Sequence, residues 1–207
     1  MITTKKIEFN YDNEIYFKFE DIKLKNKENL LILGNSGMGK TTLLHILSGL
    51  LKAKSGSIKL YGEELTELSS YQLDRFRRNN IGIVFQKPHF VNSLTVKENL
   101  ELAQFIANKK DNKRIDTILK NLNIFDKINN KTNQLSQGEK QRVSIAIAIV
   151  NSPKLILADE PTSSLDDDNC FKVINLLKKQ ASNFGAQLIV ITHDSRLKKH
   201  FKKTLEL

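Results

Sequence analysis

The stretch GNSGMGKTT, Gly34, Asn35, Ser36, Gly37, Met38, Gly39, Lys40, Thr41 and Thr42, places glycines, a lysine and a threonine in the spacing G-x-x-x-x-G-K-T. Its chemistry is that of holding phosphates. Glycines let the backbone turn tightly and aim successive N–H groups at phosphate oxygens, and the positive end of a following helix adds to that field. Lys40 can then reach the outer phosphates, and the Thr41 hydroxyl can ligate a divalent cation. Three further polar sets bear on the same chemistry: Asp159-Glu160, His193 and Gln86, each just beyond an apolar run. Two carboxylates at the end of a buried strand need a cation or a water to handle, because buried charge without a partner is costly. Asp159 suits holding the ion. Glu160 suits orienting an attacking water or taking its proton.

These groups need a scaffold, and the apolar runs supply it. Leu30–Leu33 reads as a buried strand before the loop, and the spacing of Leu43, Leu44, Ile46 and Leu47 as a buried helix face after it. The sequences 81–85 (IGIVF), 155–158 (LILA) and 187–191 (QLIVI) read as further buried strands. Gln86, Asp159-Glu160 and Thr192-His193-Asp194 then all lie at strand ends, where the ligand clefts of α/β sheets form. A lone histidine is usually structural; as the third polar set at a strand end of one presumed sheet, His193 is expected to face a ligand.

Ahead of the loop, 5–9 and 16–24 read as strands joined by a turn at 10–14. Tyr11 lies at that turn, where it can stack on a base or simply pack. Behind the loop helix, 57–61 reads as a short strand and 69–79 as a polar helix.

From Pro88 the pattern becomes helical. Thr95 and Glu98 form a capping box that opens a helix to about Asn108, and 111–122 is amphipathic. Leu135–Arg142, LSQGEKQR, starts another helix, running to about Asn151, with Ser136 as N-cap and Glu139 completing a second box. No strand is expected between Pro88 and Leu155. A helical insertion thus interrupts an α/β core of residues 1–87 and 152–207, with 88–151 as the helical part, including the helix begun by Ser136. After Ser164-Leu165-Asp166 a helix is expected from about Asp167 to Gln180. Asn130-Lys131-Thr132-Asn133 looks like a guanine-reading N-K-x-D, but Asn133 stands where the aspartate is required, so GTP selectivity is discounted.

The chain has 207 residues, 40% hydrophobic and 27% charged, enough for one substantial domain. No apolar run approaches the ~18 to 20 residues of a membrane span, so no transmembrane segment is expected, and the N-terminus lacks the apolar core of a secretory signal. Cys170 is the only cysteine, which excludes an internal disulfide and fits a reducing compartment. The formal charge of +10 favours anionic partners. Its patches, Arg75/Arg77/Arg78, Lys109/Lys110/Lys113/Arg114 and Arg196/Lys198/Lys199/Lys202/Lys203, read as solvated faces, an anionic membrane surface or, third, a nucleic-acid contact. Only Phe76 and Phe201 fall among them, too few for a row of stacked bases, which argues against a single-strand platform.

In order and spacing, GNSGMGKTT, Gln86, LSQGEKQR, LILADEPT, SSLD and ITHD resemble the nucleotide-binding subunit of an ABC transporter across nearly the whole chain. IGIVFQKPHFVNSLTVKENL and LADEPTSSLD look most like the lipoprotein-releasing and macrolide-efflux group, to which the cell-division ATPases of this family are similar. The resemblance implies an α/β P-loop NTPase fold: a RecA-like core with an antiparallel β subdomain and an inserted α-helical subdomain. It implies ATP and Mg²⁺ as cofactors, with Thr41, Gln86 and Asp159 around the ion, Glu160 as catalytic base, His193 at the γ-phosphate and Tyr11 on adenine. Ser136, Gln137, Gly138 and Glu139 are implied to act in trans on ATP held by a second copy, with Asp166 coupling the two sites. The implied partners are that second copy and an integral membrane permease, touched near Gln86 and the helical insertion, and the implied location is the cytoplasmic face of the inner or plasma membrane. An output other than transport, in cell division or on nucleic acid or ribosomes, is the alternative within the family.

Departures from the family pattern are Gln137 where many members have glycine, Glu139 where they have glutamine, and Ile147 where an arginine is common. No regulatory domain is expected after the final strand, taken to be 187–191.

Overall fold

The computed structural model describes residues 1–207 except Asp12, Asn13, Glu14, Ser164, Asp166 and the side chain of Asp168. Its centre is a parallel sheet of order β10-β4-β9-β8-β7, built from β4 (Leu30–Leu33), β7 (Ile81–Val84), β8 (Leu155–Asp159), β9 (Gln187–Thr192) and β10 (Thr204–Glu206). Strands β4, β8 and β9 are buried at every residue, as apolar runs covered on both faces must be.

Alternation along these strands divides the interior in two. Leu31, Leu33, Ile156, Ala158, Leu188 and Val190 face one core, shared with the helical insertion and α6 (Asp167–Asn183). Leu30, Ile32, Leu155, Leu157, Ile189 and Ile191 face the other, where α1 (Lys40–Leu47) separates them from a second sheet. That sheet is antiparallel, of order β2-β1-β5-β6 with β3 also on β1; its strands are β1 (Ile2–Tyr11), β2 (Ile15–Lys18), β3 (Lys23–Leu24), β5 (Ser55–Leu60) and β6 (Glu63–Glu64).

The remaining helices begin where side chains can satisfy their first N–H groups. Capping boxes open α2 (Ser70–Asn80) at Ser69/Gln72, α3 (Val96–Ile106) at Thr95/Glu98 and α5 (Gln137–Ile149) at Ser136/Glu139, while Asp111 caps α4 (Asn112–Asn121). The carbonyls at and just past the end of α5 are met from α4 and the connection before it: Arg114 of α4 donates to Ile149 O at 3.1 Å and Val150 O at 2.6 Å, and Lys109 to Asn151 O at 2.6 Å. At Gly82 of β7 an added Cβ would stand 2.0 Å from Ala148 O, so α5 lies against the sheet at a distance only glycine permits.

Three expectations are corrected. The run 16–24 is not one strand but two short ones, because β1 is irregular at Lys6, whose φ is 48° and whose N–H donates to Asp21 Oδ1 instead of a backbone carbonyl, while Phe19 and Ile22 on either side stay bonded to β1. β7 ends one residue earlier than Phe85. The chain also adds a strand after β9: β10 pairs in parallel with β4, Leu205 opposite Ile32 and Glu206 opposite Leu33.

Candidate functional site

Strand pairing gathers the polar groups at one edge of the parallel sheet. Leu33 lies opposite Thr192, Asp159 opposite Ile191 and Val84 opposite Ala158. The segments that follow β4, β7, β8 and β9 therefore leave side by side from the carboxyl ends.

Between β4 and α1, Gly37 and Gly39 take left-handed φ values of 85° and 82°. Gly39 is the N-cap of α1, and its missing Cβ makes room for the Phe17 ring, whose nearest atom would otherwise be 2.6 Å away. Gly34 is crowded from the other side, where Leu207 O would lie 3.0 Å from an added Cβ. Lys40 is 7% exposed and folds back over the loop; its Nζ donates to Asn35 O at 2.9 Å and stands 3.7 Å from Glu160 Oε1.

The Thr41 hydroxyl donates to Asp159 Oδ2 at 2.9 Å. Asp159 Oδ1 is buried and has no hydrogen-bond partner. Burial pushes this carboxyl above the usual aspartate range, the hydroxyl of Thr41 opposes that, and the neighbouring Glu160 charge adds to it. An orphaned carboxylate oxygen beside a threonine hydroxyl is an oxygen donor set suited to a hard divalent cation, so the residues present fit Mg²⁺. No cluster of three or more His, Cys, Asp or Glu suited to a metal occurs among the described residues.

Glu160 is held in place by its surroundings. Its backbone takes a left-handed φ of 45°, rare for a residue with a side chain, and its N–H donates to Ile191 O at 2.8 Å. The buried carboxylate accepts from Thr192 Oγ1 at 2.8 Å and from His193 N at 3.1 Å, and His193 Nδ1 lies 3.0 Å from Oε1. The His193 side chain is about half exposed, so its ring joins Glu160 to the open side. Gln86 Nε2 donates to Ser163 Oγ at 3.4 Å, at the turn after Glu160.

Tyr11 stands at the mouth of the loop. It is 41% exposed, its hydroxyl lies 3.2 Å from Thr42 Oγ1, and its ring meets Phe9 and Phe17 edge to face at 4.7 and 6.3 Å. The structure thus brings together the loop, Asp159, Glu160, His193 and Tyr11. Ser136, Gln137, Gly138 and Glu139 behave differently. Ser136 and Glu139 are bonded to each other, Glu139 also approaches Lys127 at 3.6 Å, and Gly138 has open space around it. Among the described residues no hydrogen bond ties these four to the phosphate loop. Asp166 lies outside the described residues. Phe17 carries a part of the site that nothing in the sequence marks, whereas Thr192, already placed in the polar set at the end of its strand, proves to hold the Glu160 carboxylate.

Comparison with known proteins agrees with this arrangement. Residues 18–163 match the sequence profile described as ABC transporter. The chain is 40% identical over 169 residues, 80% of its length and 74% of the relative's, to the lipoprotein-releasing system ATP-binding protein LolD of Buchnera aphidicola subsp. Acyrthosiphon pisum. It is 35% identical over 207 residues to LolD of Wigglesworthia glossinidia brevipalpis, covering 99% of this chain and 90% of the relative. Among solved structures, the dimeric bacterial ABC transporter cassette MJ0796 superposes with a TM-score of 0.89 at 33% identity, covering 100% of this chain and 94% of that one. A post-hydrolysis dimer of the same cassette, bound to ADP and Pi, gives the same values.

Proposed function

From the premise that this chain belongs to the ABC transporter family as an ATP-hydrolysing subunit, we propose that two copies enclose ATP between them and that its hydrolysis drives a separately encoded membrane permease. Among the described residues no helix is long and apolar enough to cross a membrane, which supports a separate permease. The LolD relatives favour a partner of the lipoprotein-releasing type and a place on the cytoplasmic face of the membrane.

The observation that carries the reading is the Glu160 carboxylate, fixed by Thr192 and His193 at 3.7 Å from Lys40 Nζ. In the proposed mechanism, Gly34 to Thr42 wrap the phosphates with backbone N–H groups, and Lys40 exchanges the Asn35 carbonyl for phosphate oxygens. Thr41 and Asp159, with Gln86, would hold Mg²⁺, which would supply positive charge to the site. Glu160 orients a water and accepts its proton as the water oxygen attacks the γ-phosphorus; the bond to the bridging oxygen breaks and its electron pair stays on ADP. His193 bridges Glu160 and the γ-phosphate, and Tyr11 stacks on adenine. Ser136, Gln137, Gly138 and Glu139 close the site from the second copy through the α5 N-terminus, whose Ser136 and Gly138 face outward.

Two substitutions test this. Glu160→Gln should lower ATP turnover by about 10²-fold or more and leave an ATP-bound dimer resolvable by size exclusion. Lys40→Ala should lose affinity for a fluorescent ATP analogue. Turnover that survives both changes would remove the proposed site.

A further inference from the structure

Thr192 is fully buried at the end of β9, and its hydroxyl stands between two groups. It accepts the Asp194 N–H at 3.0 Å and donates to Glu160 Oε2 at 2.8 Å. A hydroxyl carries a single hydrogen, a backbone N–H can only donate and an ionised carboxylate can only accept, so that hydrogen is committed to Glu160. The bond also sorts the two carboxylate oxygens. Oε2 is the one that Thr192 holds, while Oε1 lies 3.7 Å from Lys40 Nζ and 3.0 Å from His193 Nδ1. In the mechanism above, Oε1 is then the oxygen that meets the water, and Oε2 fixes its aim.

What holds Asp194 is Arg196. Asp194 caps the 3₁₀ turn Ser195–His200, and its side chain is only 8% exposed, so its charge needs a partner. The Arg196 guanidinium supplies one as a fork, with Nε donating to Oδ1 at 2.8 Å and Nη2 to Oδ2 at 2.7 Å. Planar two-point bonding fixes orientation as well as charge. The other terminal nitrogen, Nη1, pairs with Asp167, the first residue of α6. Two weaker contacts complete the carboxylate: the Arg196 N–H donates to Oδ1 at 3.0 Å and the Cys170 thiol to Oδ2 at 3.5 Å. The fork dominates, and it holds the Asp194 carboxyl below the usual aspartate range.

The geometry points to Arg196 as a positioning residue for Glu160, acting through Asp194 and Thr192; this rests on the reading of Glu160 as the base. Loss of the fork leaves the Asp194 carboxylate poorly compensated and loosens its N–H from the Thr192 hydroxyl. That hydroxyl can then turn away from Oε2. Glu160, whose backbone sits at a left-handed φ of 45°, loses its hold on the water while the phosphate loop stays as it was. Turnover falls and nucleotide binding does not.

The test is a double-mutant cycle on the full chain, read in kcat and KM, with affinity for a fluorescent ATP analogue measured alongside. The Arg196 side chain is 37% exposed, so its variants should fold. In Arg196→Gln, kcat should fall about fivefold with KM and analogue affinity held within about twofold. Arg196→Lys keeps the charge without the fork and should fall nearly as far. Thr192→Val removes the hydroxyl and should lower kcat about tenfold, and Thr192→Ser should restore most of it. Added to Thr192→Val, Arg196→Gln should lower kcat no further, because both act on one relay. The Arg196 variants decide by themselves should Thr192→Val not fold. An unchanged kcat in them, effects that multiply in the double variant, or analogue affinity falling in step with kcat would overturn the proposal. Turnover kept in Glu160→Gln would instead strike the reading of Glu160 as base; turnover lost there but kept in the Arg196 variants would strike this proposal alone.

Discussion

Asp159 is the residue at which metal, stability and pH meet. Burial raises its carboxyl above the usual range, so the folded chain binds that proton more tightly than the unfolded chain. The group's stabilising contribution is therefore greatest below its unfolded pKa and is lost as pH rises through the folded one. At neutral pH the metal-free protein holds a buried negative charge whose Oδ1 has no partner. Asp159→Asn should accordingly raise the melting temperature of the nucleotide-free, metal-free chain by about 2 °C or more at pH 7.5, while most of the further rise on adding Mg²⁺ with ATP disappears. Scanning fluorimetry in the two conditions separates these effects, and a lower melting temperature in the metal-free variant would contradict the assignment. Affinity for Mg²⁺ in the unmodified chain should also increase with pH across the acidic range, since only the ionised carboxylate ligates.

Two glycines show how closely elements must approach to hold the site. Gly39→Ala would force a Cβ onto a left-handed residue and into the Phe17 ring. Nucleotide affinity should drop about tenfold or more, and Phe17→Ala in the same chain should restore part of it by opening space, a coupling measurable as a double-mutant cycle. Gly82→Ala drives a Cβ at the Ala148 carbonyl; backbone cannot rotate away, so a loss of about 3 kcal/mol is expected, seen as a lower denaturation midpoint. Neither contact was legible in the sequence. Helix starts were legible, because Thr95/Glu98 and Ser136/Glu139 satisfy backbone donors locally. So were β4, β8 and β9, because strands buried on both faces need unbroken apolar runs. β10 was not: Thr204-Leu205-Glu206 carries one apolar residue, and its place is set by the edge of β4 rather than by its own pattern. Gln86 was found as a polar residue after a strand, but its bond to Ser163 depends on how two turns meet.

At the scale of the molecule, the proposed site is divided. The phosphate loop, Asp159, Glu160 and His193 converge within one chain, while Ser136 and Gly138 face outward from the end of α5. If the second copy supplies them, turnover per chain at saturating ATP should rise with protein concentration and level off once dimers form. A rate per chain independent of concentration over a hundredfold range, with the protein monomeric throughout, would exclude the divided site. The charge of +10 works against association of two like copies at low salt, so the rise should begin at lower protein concentration as salt increases.

The position of β4 has a consequence for the chain during its synthesis. Its partners in the sheet are β9 and β10, both made more than 150 residues later. At translation rates of ~5–20 residues per second, Leu30–Leu33 waits roughly 10 to 30 s with both edges open. An unpaired apolar strand is a template for wrong pairing. The segment that sets the phosphate loop is thus among the first made and the last secured, and a nascent chain halted before residue 187 would expose it to chaperones.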